Sequence, residues 1–225
     1  MNVNDFARTE RNQVKRLPQR AQYDKETIYR IVDEAPLCHV GFTQADQPVV
    51  IPMLHARISD MLYLHGAPAS RLLKHIGAGH PMSVAFALLD GLVLARSVFH
   101  HSVNYRSAVI FGTGKLVETG EEKLVALEAL TEHIAPGRWA DARQPNRKEL
   151  DATSVIALRI ESASAKIRTG PPSDDEADYA LPVWAGVVPL QIQALNPIDD
   201  PELSGGINVP SYISNYTTSG RKQRP

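Results

Sequence analysis

The densest gathering of chemically able side chains is the run YLHGAPASRLLKHI, residues 63–76. A strand-like pattern ends at His65–Gly66, a tight loop follows, and Ser70, Arg71 and Lys74 collect at the first turn of a helical pattern. Unpaired backbone N–H groups, a hydroxyl and a guanidinium able to grip two oxygens are the parts of an anion site. The same residues also describe an N-cap serine followed by solvated basic side chains, and spacing alone does not separate the two readings.

Histidines form the second group of candidates. His55, His65, His100 and His101 lie on or beside strand-like segments, where imidazole could act as acid, base or metal ligand. A metal pair made of His100 and His101 is disfavoured, because adjacent strand residues point to opposite faces. The alternative for each is a half-buried residue hydrogen-bonded in a sheet. Cys38 is the only cysteine, so no intrachain disulfide can form, and it reads as a small core residue. The run Lys166–Gly170 reads equally as a pocket cap or as surface charge.

These residues need a scaffold, and the patterning supplies a mainly β one. A polar, arginine-rich arm ends at Asp24, an N-cap candidate, and Ile28, Ile31, Val32 and Ala35 then recur at helical spacing until Pro36. Strand patterns follow in LCHVGFT, QPVVIPMLHARIS and MLYLHG, with turns at Ala45–Asp46 and Ser59–Asp60, which predicts antiparallel hairpins. Pro52 interrupts the second run; a proline there marks an edge, a bulge or the approach of a ligand. Further strands are predicted in MSVAFALLDGLVLARSV, NYRSAVIFGTGKLVE, TSVIALRIESASAKI and LPVWAGVVPLQI, with Gly91, Gly112 and Gly114 at bends. A second helix is predicted over Glu121–Ile134, with Leu124, Leu127, Leu130 and Ile134 inward.

Composition excludes several classes of function. At 225 residues, 43% hydrophobic and 22% charged, the chain suits one sizeable core. A formal net charge of -1 and scattered basic residues lack the footprint of a nucleic-acid binder. No apolar stretch approaches the ~18 residues of a membrane span, and the first ten residues show no secretory pattern, so a cytoplasmic protein is expected. We divide the chain into an arm (1–22), a domain (23–195) and a tail (196–225) rich in Pro, Gly, Ser and Asn, expected to be flexible or packed against a partner.

Tyr63, Ser70, Arg71 and Lys74 fit the phosphate-loop pattern of a known family. In family order, the arm VKRLPQRAQYD, the strand VVIPMLH, the block FHHSVNYRSAVIFG and the closing LPVWAGVVP extend the match over about Arg11–Leu190. The chain thereby resembles the FMN-binding split barrels of the pyridoxamine 5′-phosphate oxidase superfamily, in their nitroimidazole-resistance (Nim-like) branch. The resemblance implies an antiparallel split β-barrel with two or more peripheral helices, six to eight strands and a homodimer with FMN at the subunit interface. By the same resemblance Ser70, Arg71 and Lys74 hold the phosphate, Pro52 and Met53 flank the flavin ring, and His65 stands beside it as the catalytic candidate. Asn104, Tyr105, Arg106, Ser107 and Trp184 would come from the second subunit. The family's oxidases follow the tryptophan-glycine stretch with an arginine for the substrate phosphate, whereas Val187 and Val188 stand here. Pyridoxamine phosphate is therefore not the expected substrate; an FMN-dependent oxidoreductase acting on a small apolar or planar molecule, such as a nitroaromatic, is. Related split barrels bind haem or a deazaflavin, and a flavin-binding protein without turnover is a further alternative.

Overall fold

The computed structural model describes residues 4–216. The arm ends in β1 (Ala21–Gln22), and α1 (Lys25–Glu34) follows, its first turn capped by the Asp24 carboxylate accepting the Thr27 N–H at 2.8 Å. Two hairpins come next: β2 (Cys38–Gln44) with β3 (Gln47–Met53), and β4 (His55–Ile58) with β5 (Met61–Gly66). After α2 (Arg71–Gly77) the long strands β6 (Met82–Leu94) and β7 (Ser102–Gly112) pair, and β8 (Lys115–Leu116) leads to α3 (Gly120–Ile134), α4 (Arg138–Asp141) and α5 (Arg147–Ala152). The chain closes with β9 (Ser154–Arg159), β10 (Ser162–Arg168), β11 (Gly186–Pro189) and α6 (Ser211–Ser214).

The larger sheet runs β1-β10-β7-β6-β2-β3 with β11 added along β6, and the smaller runs β4-β5-β9-β8. All pairings are antiparallel and neither sheet closes, which is the split-barrel class expected from the sequence. The strand number differs from expectation because three runs read as single strands are each divided between the two sheets. QPVVIPMLHARIS divides at Leu54, NYRSAVIFGTGKLVE at Thr113–Gly114, and TSVIALRIESASAKI at Ile160–Glu161. At the second corner the sheets approach so closely that a Cβ on Gly112 would stand 2.6 Å from the Leu158 side chain. Continuous β-propensity does not reveal such a crossing, since both halves remain strand.

The shared interior is built from Ile28, Ile31 and Val32 of α1, Val40 of β2, Leu62 and Leu64 of β5, Phe86 of β6, Ile110 of β7 and Ile156 and Leu158 of β9. On α3 the buried residues are Ala126, Ala129 and Leu130, while Leu124, Leu127 and Ile134 are half-buried. Small residues let that helix lie close to the smaller sheet. The N-terminal arm is stitched down by the buried Asn12, whose amide donates to the carbonyls of Ala7 (2.9 Å) and Ala163 (3.2 Å). The tail returns to the body: the Tyr212 hydroxyl donates to Asp141 at 2.6 Å and that of Tyr216 to the Ile134 carbonyl at 2.7 Å. The closing GRKQRP lies outside the described residues, as do residues 1–3 of the amino terminus. Among the described residues no helix is long and apolar enough to cross a membrane.

Candidate functional site

Strand β5 delivers the loop. It pairs on both sides, with β4 and β9, so His65 and Gly66 are fixed opposite Val155 and Ser154. The chain then turns through Ala67–Ser70, where the Ser70 N–H donates to the Ala67 carbonyl at 2.9 Å, and enters α2 with the Ser70 hydroxyl accepting the Leu73 N–H at 3.3 Å. Leu72, Leu73 and Ile76 bury the inner side of α2 in the same core as Val40 and Phe42 of β2. Helical spacing then leaves Arg71 and Lys74 exposed. Neither makes an ion pair or a side-chain hydrogen bond among the described residues, whereas Arg57 is held by Asp33, Arg96 by Asp174, and Arg106 by both Glu34 and Asp90. Two uncommitted cations beside a capping hydroxyl fit a phosphate group. Because α2 has only seven residues, the cations carry that attraction more than the helix dipole does.

His65 sits at the base of this loop. Burial holds its pKa below the ordinary histidine value, so the ring is neutral at neutral pH. Its Nδ1 is buried with no hydrogen-bond partner, which leaves Nε2 as the nitrogen able to meet a ligand. Tyr63, two residues earlier, packs in a separate cluster with Val117 and Ala126, and its hydroxyl faces Glu122 at 3.3 Å. Burial and then Glu122 raise its pKa.

Pro52 lies on β3, the edge strand of the larger sheet, and that position by itself accommodates a proline. Met53, like Ile51 and Val49, packs against the core, while Pro52 and Val50 are exposed on the other side of the pleat. The two side chains therefore cannot meet one ring on the same side; Pro52 is the one offered outward.

The remaining expected residues lie elsewhere in this chain. Asn104 is buried, its amide donating to the Gly170 carbonyl at 3.2 Å and its carbonyl accepting from Arg168. Arg168, read as surface charge or a pocket cap, is 8% exposed and ties β10 to the carbonyl of Pro171 at 3.2 Å. Arg106 is neutralised by Asp90, at 2.8 Å, and by Glu34, and these bonds hold its guanidinium charged. The Ser107 hydroxyl donates to the Lys166 carbonyl at 3.2 Å, and Tyr105 is half-buried on the same side of β7. Trp184 is 64% exposed in the approach to β11, its indole lying where a Cβ on Gly186 would stand, 2.8 Å away. On β6, Ala85 pairs with β2 and Gly91 with Asn104, six residues on. That is about 20 Å of strand between the β2 pairing and Asn104.

The other histidines divide clearly. His55 is fully buried with Nε2 2.8 Å from the Val32 carbonyl and its ring against Phe86 and His133. His100 ends a 3-10 turn between β6 and β7 and His101 caps it directly before β7, so both lie beside a strand, as expected, and not on one. No cluster of three or more metal-binding side chains exists among the described residues.

The comparisons with known proteins bear on the family and the fold. The pyridoxamine 5′-phosphate oxidase family model matches residues 24–167, and the chain belongs to that family. Among solved structures, the flavocytochrome Anf3 from Azotobacter vinelandii superposes with a TM-score of 0.86 at 40% identity, covering 91% of this chain and 95% of that one. The FAD and haem binding protein from Mycobacterium smegmatis gives 0.84 at 36% identity, over 88% and 97%. A candidate 5-nitroimidazole antibiotic resistance protein from Bacteroides thetaiotaomicron gives 0.56 at 25% identity, over 65% and 86%. No curated protein sequence matches the chain.

Proposed function

We propose that the protein is a dimeric redox protein that binds a flavin nucleotide at the Ser70–Lys74 loop and pairs it with haem. The observation that carries the flavin half is the pair of uncommitted cations, Arg71 and Lys74, beside the Ser70 hydroxyl in a chain whose other site arginine, Arg106, is neutralised. A flavin phosphate supplies the matching charge. FMN and FAD share the ribityl phosphate, so the loop serves both; FAD is favoured over the FMN expected from sequence by the name of the 36% identical relative. The haem half is supported by the names of both relatives above 35% identity.

Homodimer formation is supported by an exposed apolar row across three strands. Val188, Leu92 and Val103 are direct cross-strand partners and are 40%, 38% and 37% exposed, with Leu89 and Trp184 nearby still more so. A second copy seated on that row would cover Trp184 and Leu89 with it.

When bound, the flavin would supply two-electron chemistry and the haem one-electron chemistry. The residues of this chain bind and orient: Arg71 and Lys74 fix the phosphate, Ser70 adds a hydroxyl donor, and Pro52 offers an outward apolar surface at the sheet edge. Neutral His65 holds or exchanges a proton at Nε2. Val187 and Val188 give no cation for a phosphorylated substrate. The test is extraction of the bound ligands after purification: FAD and haem together are expected, FMN alone would return the protein to the simpler flavoprotein reading, and neither would overturn it.

A further inference from the structure

The tail is anchored at both ends and unsupported between them. Just past β11, the Leu190 N–H donates to the Asp90 carbonyl at 3.1 Å. At the far end α6 docks on the turn between α3 and α4: the Tyr212 ring lies 3.3 Å from where a Cβ on Gly137 would stand, and the Arg138 guanidinium donates to the Tyr212 hydroxyl at 3.2 Å. Residues 190–209 between these anchors form neither helix nor strand, and Leu195, Ile198 and Ile207 are 85%, 96% and 58% exposed. Holding so long an apolar segment to one course costs conformational entropy that contacts with its own body do not offset. A second surface is missing.

Charge and position identify it. Residues 190–210 contain Asp199, Asp200 and Glu202 and no lysine, arginine or histidine, whereas residues 11–20 contain Arg11, Lys15, Arg16 and Arg20 and no acid. None of these side chains makes an ion pair among the described residues, so the acidic tail and the basic arm do not neutralise each other within one chain. The exposed row Val188, Leu92 and Val103 crosses β11, β6 and β7, and β10 and β1 lie next beyond β7. The tail thus leaves from one flank of the row and the basic arm enters at the other. When two such rows pair about a two-fold axis along the strands, each flank meets the opposite flank of the second copy. Resting on the dimer reading above, we propose that residues 190–209 form a strap lying on the N-terminal arm of a second copy of this chain. Asp199, Asp200 and Glu202 then face the exposed Lys15 and Arg16, and Leu195 and Ile198 are buried between the copies.

The experiment is sedimentation equilibrium of the full-length protein over a range of concentrations. It compares wild type, Leu195→Asp with Ile198→Asp, a tail reversal (Asp199→Lys with Asp200→Lys), an arm reversal (Lys15→Glu with Arg16→Glu) and the two reversals combined. All of these positions are exposed, and circular dichroism verifies each fold. The apolar variant should weaken the dimer by at least about tenfold in Kd, the effect of losing one fully buried Leu or Ile. Each reversal should weaken it at low salt and less at high salt, and the combination should restore it. Wild-type dimer affinity in every variant overturns the strap and leaves the dimer standing. So do reversals that fail to rescue one another, and reversals that shift the thermal midpoint but not the dimer constant, which would place the contact within one chain. A wild type that stays monomeric at every concentration overturns the dimer reading and the strap with it.

Discussion

The Ser70 hydroxyl accepts the backbone N–H of Leu73 at 3.3 Å, and so closes the first turn of α2 without using its own O–H. One hydroxyl has a donor and two lone pairs. Ser70 can therefore cap its helix and donate to a phosphate oxygen at once, so the two readings that spacing could not separate are compatible in the folded chain. The exposed, unpaired Arg71 and Lys74 are what a cap alone does not account for.

Arg71→Ala should weaken flavin binding by about 1.5–3 kcal/mol, the range for a hydrogen bond to a charged group, which is roughly 10- to 100-fold in Kd. Arg71 is exposed and packs against nothing in the core, so its thermal midpoint without ligand should barely move. Flavin fluorescence titration measures the first and calorimetry the second. Unchanged affinity removes the phosphate assignment.

Much of this was legible in the residues. The capped α1, the turns at Ala45–Asp46 and Ser59–Asp60 and the strand-loop-helix around Ser70 all follow from local chemistry, and the structure has them. Local chemistry could not show where one strand pattern leaves its sheet for the other, as at Ile160–Glu161, because that depends on which partner lies alongside. Nor could it show that Arg106 is spent on Glu34 and Asp90, which are 72 and 16 residues away, or that Arg168 turns inward to Asn104.

His65 makes stability depend on pH. Its folded pKa lies below the unfolded value of about 6.5, so between the two the unfolded chain binds a proton that the folded chain does not. Its contribution is fully present above the unfolded pKa and is lost as pH falls toward the folded one. Urea midpoints measured over roughly pH 5 to 8 should fall less steeply on the acid side for His65→Gln than for wild type. Parallel curves would mean that the ring is not desolvated.

Cys38 is fully buried on β2, and burial pushes its thiol up to about 12. The thiolate is the reactive form, so the folded protein should resist a disulfide-exchange reagent at mildly alkaline pH and release one equivalent of thiol only on denaturation. Prompt reaction of the native protein would place Cys38 at a surface.

Gly112→Ala puts a methyl group 2.6 Å from the Leu158 side chain at the corner where the chain changes sheets. Overpacking of that kind costs about 1–3 kcal/mol, to be read as a lower denaturant midpoint with flavin affinity largely kept. A variant as stable as wild type would mean that the two sheets are not so closely apposed.

The visible spectrum of the purified protein, before and after adding FAD or FMN, bears most directly on the central claim that the Ser70–Lys74 loop holds a flavin. The paired bands of oxidised flavin, shifted from those of free flavin and removed by dithionite, are the expected result. A protein that shows no flavin as isolated and leaves the spectra of added FAD and FMN unchanged would contradict it.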